Sequence, residues 1–324
     1  MLVSFLLPTR TSETNTEWQD LINALQSIIE LSSKKFDWEV LIAIDNDDTE
    51  TLAKIPTIEK IFEPHTFCSC RIEIMERQGY NNLEKYYNYL GELAKGEFLF
   101  FWNDDVIMVT PNWDEILKED FTLFPEMICL FPLEYNYATP HFKTHKFLLH
   151  HAFPIIRNCW ISVLGQISKF FMNDTYVMNV SLGSFDYSRL VVSHHNIPQT
   201  DNENYYHSIA LSQKRENEIL KSQRWTDEIV KDNLLMQKYL WERNNAQDKF
   251  VYNNVFHLPE EKDLLGLGIV SEQRAGITNI ETPPLVNYFC SKHGEQKGHF
   301  FYNQIKNMPI SEIDIEALEL GYWM

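Results

Sequence analysis

Two short apolar runs, residues 39–44 and 98–102, each stop abruptly in a polar, acidic cluster. The first runs into Asp45, Asn46, Asp47, Asp48 and Thr49, the second into Asn103, Asp104 and Asp105. Short apolar runs rich in aromatic and branched residues suit strands buried on both faces, and the Asp and Asn that follow end β-propensity and force a loop. The chain before and between these runs alternates in period. Residues 3–7 form a third apolar run ended by Pro8. Residues 17–31 carry Trp18, Leu21, Ile22, Leu25, Ile28 and Ile29 at helical spacing. Residues 71–75 read as a strand, and after Gly79 a helix is predicted from about Asn82 to Ala94.

Alternating strands and helices predict an α/β fold: a Rossmann-like, mostly parallel sheet flanked by helices, whose ligands sit outside the carboxyl ends of the strands. Both acidic clusters fall at that edge. Further on, residues 111–133 read as helix and strand, and 134–152, rich in His, Lys and aromatic residues, as a loop. Residues 161–171 read as a helix leading to Asn173 and Asp174. Residues 176–182 fit either a strand or a helix, and 190–193 a strand running into His194 and His195. Beyond about Thr200 the character changes, because residues 205–243 are long, polar and helical in pattern without Gly or Pro. The expected organisation is a ligand-binding domain over 1–200 and a mainly helical C-terminal extension over 201–324.

With 46 Asp plus Glu against 28 Lys plus Arg, a formal charge of −18, nucleic-acid binding by electrostatics is not expected. The five cysteines have neither disulfide-framework nor zinc-site spacing, and no apolar stretch approaches a membrane span. A soluble, cytoplasmic protein is therefore expected, with no membrane span.

In this arrangement the sequence resembles the nucleotide-sugar glycosyltransferases of GT-A fold, particularly the large family 2 type. Pro8, Thr9 and Arg10 end the first strand, Asp45 ends the second, and Asn88, Ala94, Gly96 and Glu97 have the family's spacing before the strand over 98–102. The match covers about the first 195 residues. The family's Asp-x-Asp falls on Asn103, Asp104 and Asp105, a departure at its first position. The resemblance implies a donor site for a nucleotide-diphosphate sugar built from Pro8, Thr9, Arg10, Asp45, Asn103 and Asp104. It also implies Asp105 as ligand of Mn2+ or Mg2+, completed by His194 or His195. Asp174 would be the general base of an inverting transfer, because a carboxylate opposite the departing diphosphate can take the acceptor hydroxyl's proton. A helix N-cap is the alternative role for Asp174. The acceptor would be a glycan, lipid-linked or small-molecule hydroxyl, in glycan biosynthesis.

Two rival functions stand beside this one. A catalytically silent nucleotide-sugar-binding module is compatible with Asn103. A sugar-1-phosphate nucleotidyltransferase is disfavoured, since residues 8–12 lack the glycines of its phosphate loop. Other candidates are weaker. His141 and His145 have helical metal-pair spacing but lack the intervening Glu of a zinc-protease motif. Lys143, Lys146 and Arg157 could meet a diphosphate, and Gly266 and Gly268 do not make a dinucleotide fingerprint.

Overall fold

The computed structural model describes residues 1–10, 18–123, 127–136, 146–148, 152–181, 184–194 and 214–246. Four strands form the parallel half of one sheet: β1 (Val3–Thr9), β2 (Trp38–Asp45), β3 (Cys68–Met75) and β4 (Phe98–Phe101), in the spatial order β3-β2-β1-β4. β1 and β2 are apolar along almost their whole length because helices cover both faces of the sheet. The other half is mixed. It comprises β5 (Val106–Met108), β6 (Cys129–Asn136), β7 (Lys146–Leu148), β8 (Ile155–Arg157) and β9 (Phe185–His194), joined antiparallel except for β6 with β9. The predicted parallel character therefore holds for the half carrying the acidic strand ends and gives way to mixed pairing beyond β4.

One layer of helices, α1 (Trp18–Leu31), α3 (Ile55–Phe62) and α5 (Trp113–Leu123), shares a core with Phe5, Trp38, Phe100 and Trp102. α2 (Thr49–Leu52) is a single turn after β2, capped by Asp48, whose carboxylate accepts from the Thr51 backbone N–H at 3.2 Å. The opposite layer contains α4 (Leu83–Leu93), α6 (Cys159–Leu164), α7 (Asn173–Val180), helical turns α8 (214–220) and α9 (Gln223–Ala246). Leu220, Trp225, Ile229, Val230, Met236 and Leu240 of α8 and α9 are buried in the same core as Tyr86, Tyr87 and Leu90 of α4. One apolar face of the described part of the expected extension thus packs into the core of the first 200 residues.

Several expectations are corrected. The helix read over 161–171 is the shorter α6, stopped by Gly165, which adopts the left-handed conformation (φ 80°) open to glycine at a helix C-terminus. The segment read from 176 onward as strand or helix is helix as far as Val180, starting earlier, at Asn173. The loop expected over 134–152 contains the end of β6 and all of β7. Arg157 faces no diphosphate: it is buried, donates to the carbonyls of Met127 and Phe121 at 2.8 Å, and lies over the Phe121 ring. His141, His145, Lys143, Gly266 and Gly268 lie outside the described residues. Among the described residues no helix is long and apolar enough to cross a membrane.

Candidate functional site

The site begins where two neighbouring strands part. Pairing of β1 with β4 ends at Leu6 and Phe101, while pairing of β1 with β2 continues to Thr9 and Ile44. The carbonyls of Leu2 and Leu6 accept from Phe98 and Trp102, so even-numbered residues of β1 turn their backbone groups toward β4. The missing N–H of Pro8 therefore falls on the side where β4 has already ended, and no ladder bond is lost. In the order β3-β2-β1-β4 this opening lies at the switch point, where open α/β sheets hold ligands.

Polar side chains bridge the opening. Thr9 Oγ1 donates to Asp104 Oδ2 at 2.6 Å, linking the end of β1 to the loop after β4. Asp45, at the end of β2 and 4% exposed, accepts from Arg10 Nη1 at 2.9 Å and, through its other oxygen, from the Tyr86 hydroxyl. That hydroxyl accepts in turn from the backbone N–H of Gln78 at 2.7 Å, so the turn before α4 is tied to the strand end. Arg10 also reaches Asp47 at 2.6 Å, and Arg77 lies 3.6 Å from the other Asp47 oxygen. The Arg10 hydrogen bond holds the Asp47 carboxyl below the usual carboxylate range.

Asp104 is 8% exposed, and burial followed by the neighbouring charge of Asp105 pushes its carboxyl up to about 7, against the Thr9 hydrogen bond. The folded state therefore binds the Asp104 proton more tightly than the unfolded chain does. Its stabilising contribution is complete below the ordinary carboxylate range and is lost as pH rises through about 7. In metal-free protein, Asp104→Asn is expected to raise the melting temperature by roughly 2 to 8 °C at pH 8 and little at pH 5. Equal shifts at the two values, measured by thermal denaturation in chelator, would show that Asp104 carries no such burden.

Tyr87, on α4, stacks on Phe101 at 4.6 Å, and its hydroxyl lies 3.3 Å from Asn103 Oδ1. Burial raises its phenol well above the ordinary range, and the next contributions come from Asp174, Asp104, Tyr80 and Asp105. Asp174, far along the chain, is thereby brought within electrostatic reach of the same phenol as the two acids after β4. It sits in the first turn of α7, half-buried; the N-cap is Met172, so the capping role is excluded. β9 runs antiparallel to β5, with His194 opposite Val106, the residue after Asp105. His195 lies outside the described residues.

Pro8, Thr9, Arg10, Asp45, Asn103, Asp104, Asp105 and Asp174 are thus gathered around one opening, and the backbone of His194 runs beside it. Among the described residues no group of three His, Cys, Asp or Glu side chains stands ready to hold a metal. The donor set nevertheless fits a partial site: two adjacent carboxylates whose mutual repulsion a divalent cation would relieve. Asn88, matched by family spacing, points elsewhere. Its side chain accepts from the N–H groups of Ile167 and Ser168 and donates to the Ser168 carbonyl, fixing the segment after α6. Tyr86, Tyr87 and Arg77 were not signalled by the sequence, since two tyrosines on an amphipathic helix look like core and an exposed Arg like surface.

No family model matches the chain, and no curated protein does. Among solved structures, residues 1–349 of S. aureus TarS in complex with UDP are similar at 14% identity, covering 99% of this chain and 91% of that one, with a TM-score of 0.44. The same TarS fragment in complex with UDP-GlcNAc is similar at 12% identity, covering 94% and 92%, with a TM-score of 0.42.

Proposed function

We propose that the chain is a glycosyltransferase that takes a sugar from a nucleotide-diphosphate donor and passes it to a hydroxyl acceptor with inversion. The observation that carries this reading is the Thr9–Asp104 hydrogen bond across the β1/β4 opening, flanked by Asp45 on one side and by Asp105 and Asp174 around Tyr87 on the other. A strand-end edge with buried acceptors on one side and carboxylates on the other suits a ligand with a donor-bearing base and ribose at one end and a reacting centre at the other.

In this reading Asp45, held by Tyr86 and Arg10, and Thr9 accept and donate to base and ribose. Among the described residues Arg10 and Arg77 lie near these strand ends, and both are engaged by Asp47, so a protein of charge −18 has little fixed positive charge there to offer a diphosphate. Asp105, with Asp104 and His194 beside it, would hold Mn2+ or Mg2+. When bound, such an ion supplies Lewis-acid stabilisation of charge on the leaving diphosphate. Asp174 takes the proton of the acceptor hydroxyl as that oxygen bonds to the anomeric carbon. The bond from that carbon to the diphosphate oxygen breaks, and its electron pair leaves with the nucleoside diphosphate.

Thermal shift with uridine, guanosine, cytidine and thymidine diphosphates, each with and without manganese, tests the binding half. One diphosphate together with the cation is expected to raise the melting temperature more than the sum of the separate effects, because ligand binding adds RT ln(1 + [L]/Kd) to stability. An unchanged melting temperature across the panel would remove the reading.

A further inference from the structure

The short helix that carries Asp174 is tied down by residues distant in sequence. α7 spans Asn173–Val180, and its N-cap, Met172, makes no side-chain capping bond. Asn173 Nδ2 donates to the Phe171 carbonyl at 3.0 Å beside the first turn, and further along the helix is held by tertiary contacts. Those contacts converge from α9. The Tyr176 hydroxyl donates to Asp232 Oδ2, and Asn233 Nδ2 donates to the Val180 carbonyl at 2.8 Å. One pair of adjacent α9 residues, Asp232 at 1% and Asn233 at 0% exposure, thus holds α7 both at its middle and at its C-terminal carbonyls.

A third tether precedes the helix. Lys169 Nζ lies 2.6 Å from Asp232 Oδ2 and 2.5 Å from Glu228 Oε2, one turn earlier on α9. Asp232 accepts from Lys169 and Tyr176 together, so the segment before α7 and the helix itself share one buried acceptor. Aromatic packing closes around it, with Trp225 4.8 Å from the Phe170 ring and 6.3 Å from the Tyr176 ring. A buried carboxylate with a cation and a phenol as partners specifies one geometry, because a displaced α7 would leave it unpaired.

We infer that Tyr176 and Asp232 are positioning residues for Asp174, and that α9 serves the reaction as the clamp that fixes the base-bearing helix. This rests on the reading of Asp174 as general base. The acceptor-side carboxylate has to be held to within a fraction of an ångström, and the buried tethers from α9 fix the helix that carries it. Tyr176→Phe removes one hydroxyl and leaves Lys169 to satisfy Asp232, which keeps the variant folded.

The test combines activity with a measurement independent of it. Release of nucleoside diphosphate from UDP-, GDP-, CDP- and thymidine-diphosphate sugars is followed, well below the melting temperature, for wild type, Tyr176→Phe, Asp174→Asn and the double variant. Tyr176→Phe is expected to lower kcat about 10-fold with KM for the donor within a few-fold, and the double variant to be no slower than Asp174→Asn alone, since a positioning residue has nothing left to position. Multiplying effects, or an unchanged kcat in Tyr176→Phe, would overturn the inference. If Tyr176→Phe slows release but Asp174→Asn does not, the base assignment has failed and the clamp with it. Amide hydrogen exchange supplies the second readout. Exchange in residues 175–181 of Tyr176→Phe is expected to be at least about 5-fold faster, with β1 and β2 unchanged. Unaltered protection there would overturn the clamp even if no donor in the panel turns over.

Discussion

Asp174→Asn is expected to lower sugar transfer by two or more orders of magnitude while the affinity for nucleoside diphosphate stays within a few-fold. General base catalysis is worth about 10²- to 10⁴-fold, and an amide keeps the shape of the carboxylate without its basicity. The structure sharpens this expectation by removing the competing role. Met172, not Asp174, is the N-cap of α7, so the substitution breaks no cap. It does remove a negative charge from the first turn of a helix, where an acid is favourable by about 0.3–1 kcal/mol, so a small loss of stability is expected beside the loss of rate. Steady-state kinetics and nucleotide titration on the same preparation separate the two effects. Near-normal transfer would make Asp174 a structural acid.

The second large effect is expected at Asp105. Asp105→Ala should abolish the manganese-dependent gain in nucleotide affinity, a coupling on the order of 5- to 150-fold in typical linked sites. The metal-free protein should remain as stable as wild type or become more so. Asp105 contributes repulsion to buried Asp104, and its removal relieves the ionised form of that neighbour. Calorimetric titration of nucleoside diphosphate with and without manganese reads the coupling directly. A variant that keeps the full metal-dependent gain would show that Asp105 is not a ligand. In the proposed reading the like-charge pair is a burden to the empty fold that a bound cation would relieve.

Much of this site could be read from local sequence. Strands that are apolar throughout and then stop in Asp and Asn have one place to go in an α/β fold, and the ends of β1, β2 and β4 with Thr9, Asp45, Asp104 and Asp105 fall where that pattern puts them. The period of α1 and the strand–helix alternation up to β4 were legible for the same reason, because burial on a regular element imposes its own spacing. What lay beyond local pattern is everything that depends on register between distant segments. The placing of His194 opposite Val106 comes from an antiparallel pairing between strands some ninety residues apart. The hydroxyl of Tyr86 on Asp45, and the burial of Arg157 against the Phe121 ring, are decided by which face of an element meets its neighbour. Sequence alone determined that an acidic, polar edge would exist at the switch point of a sheet. Tertiary structure alone decided that α9 would hold α7 through Asp232 and Asn233, because a buried carboxylate finds its lysine and tyrosine only once the core has closed around all three.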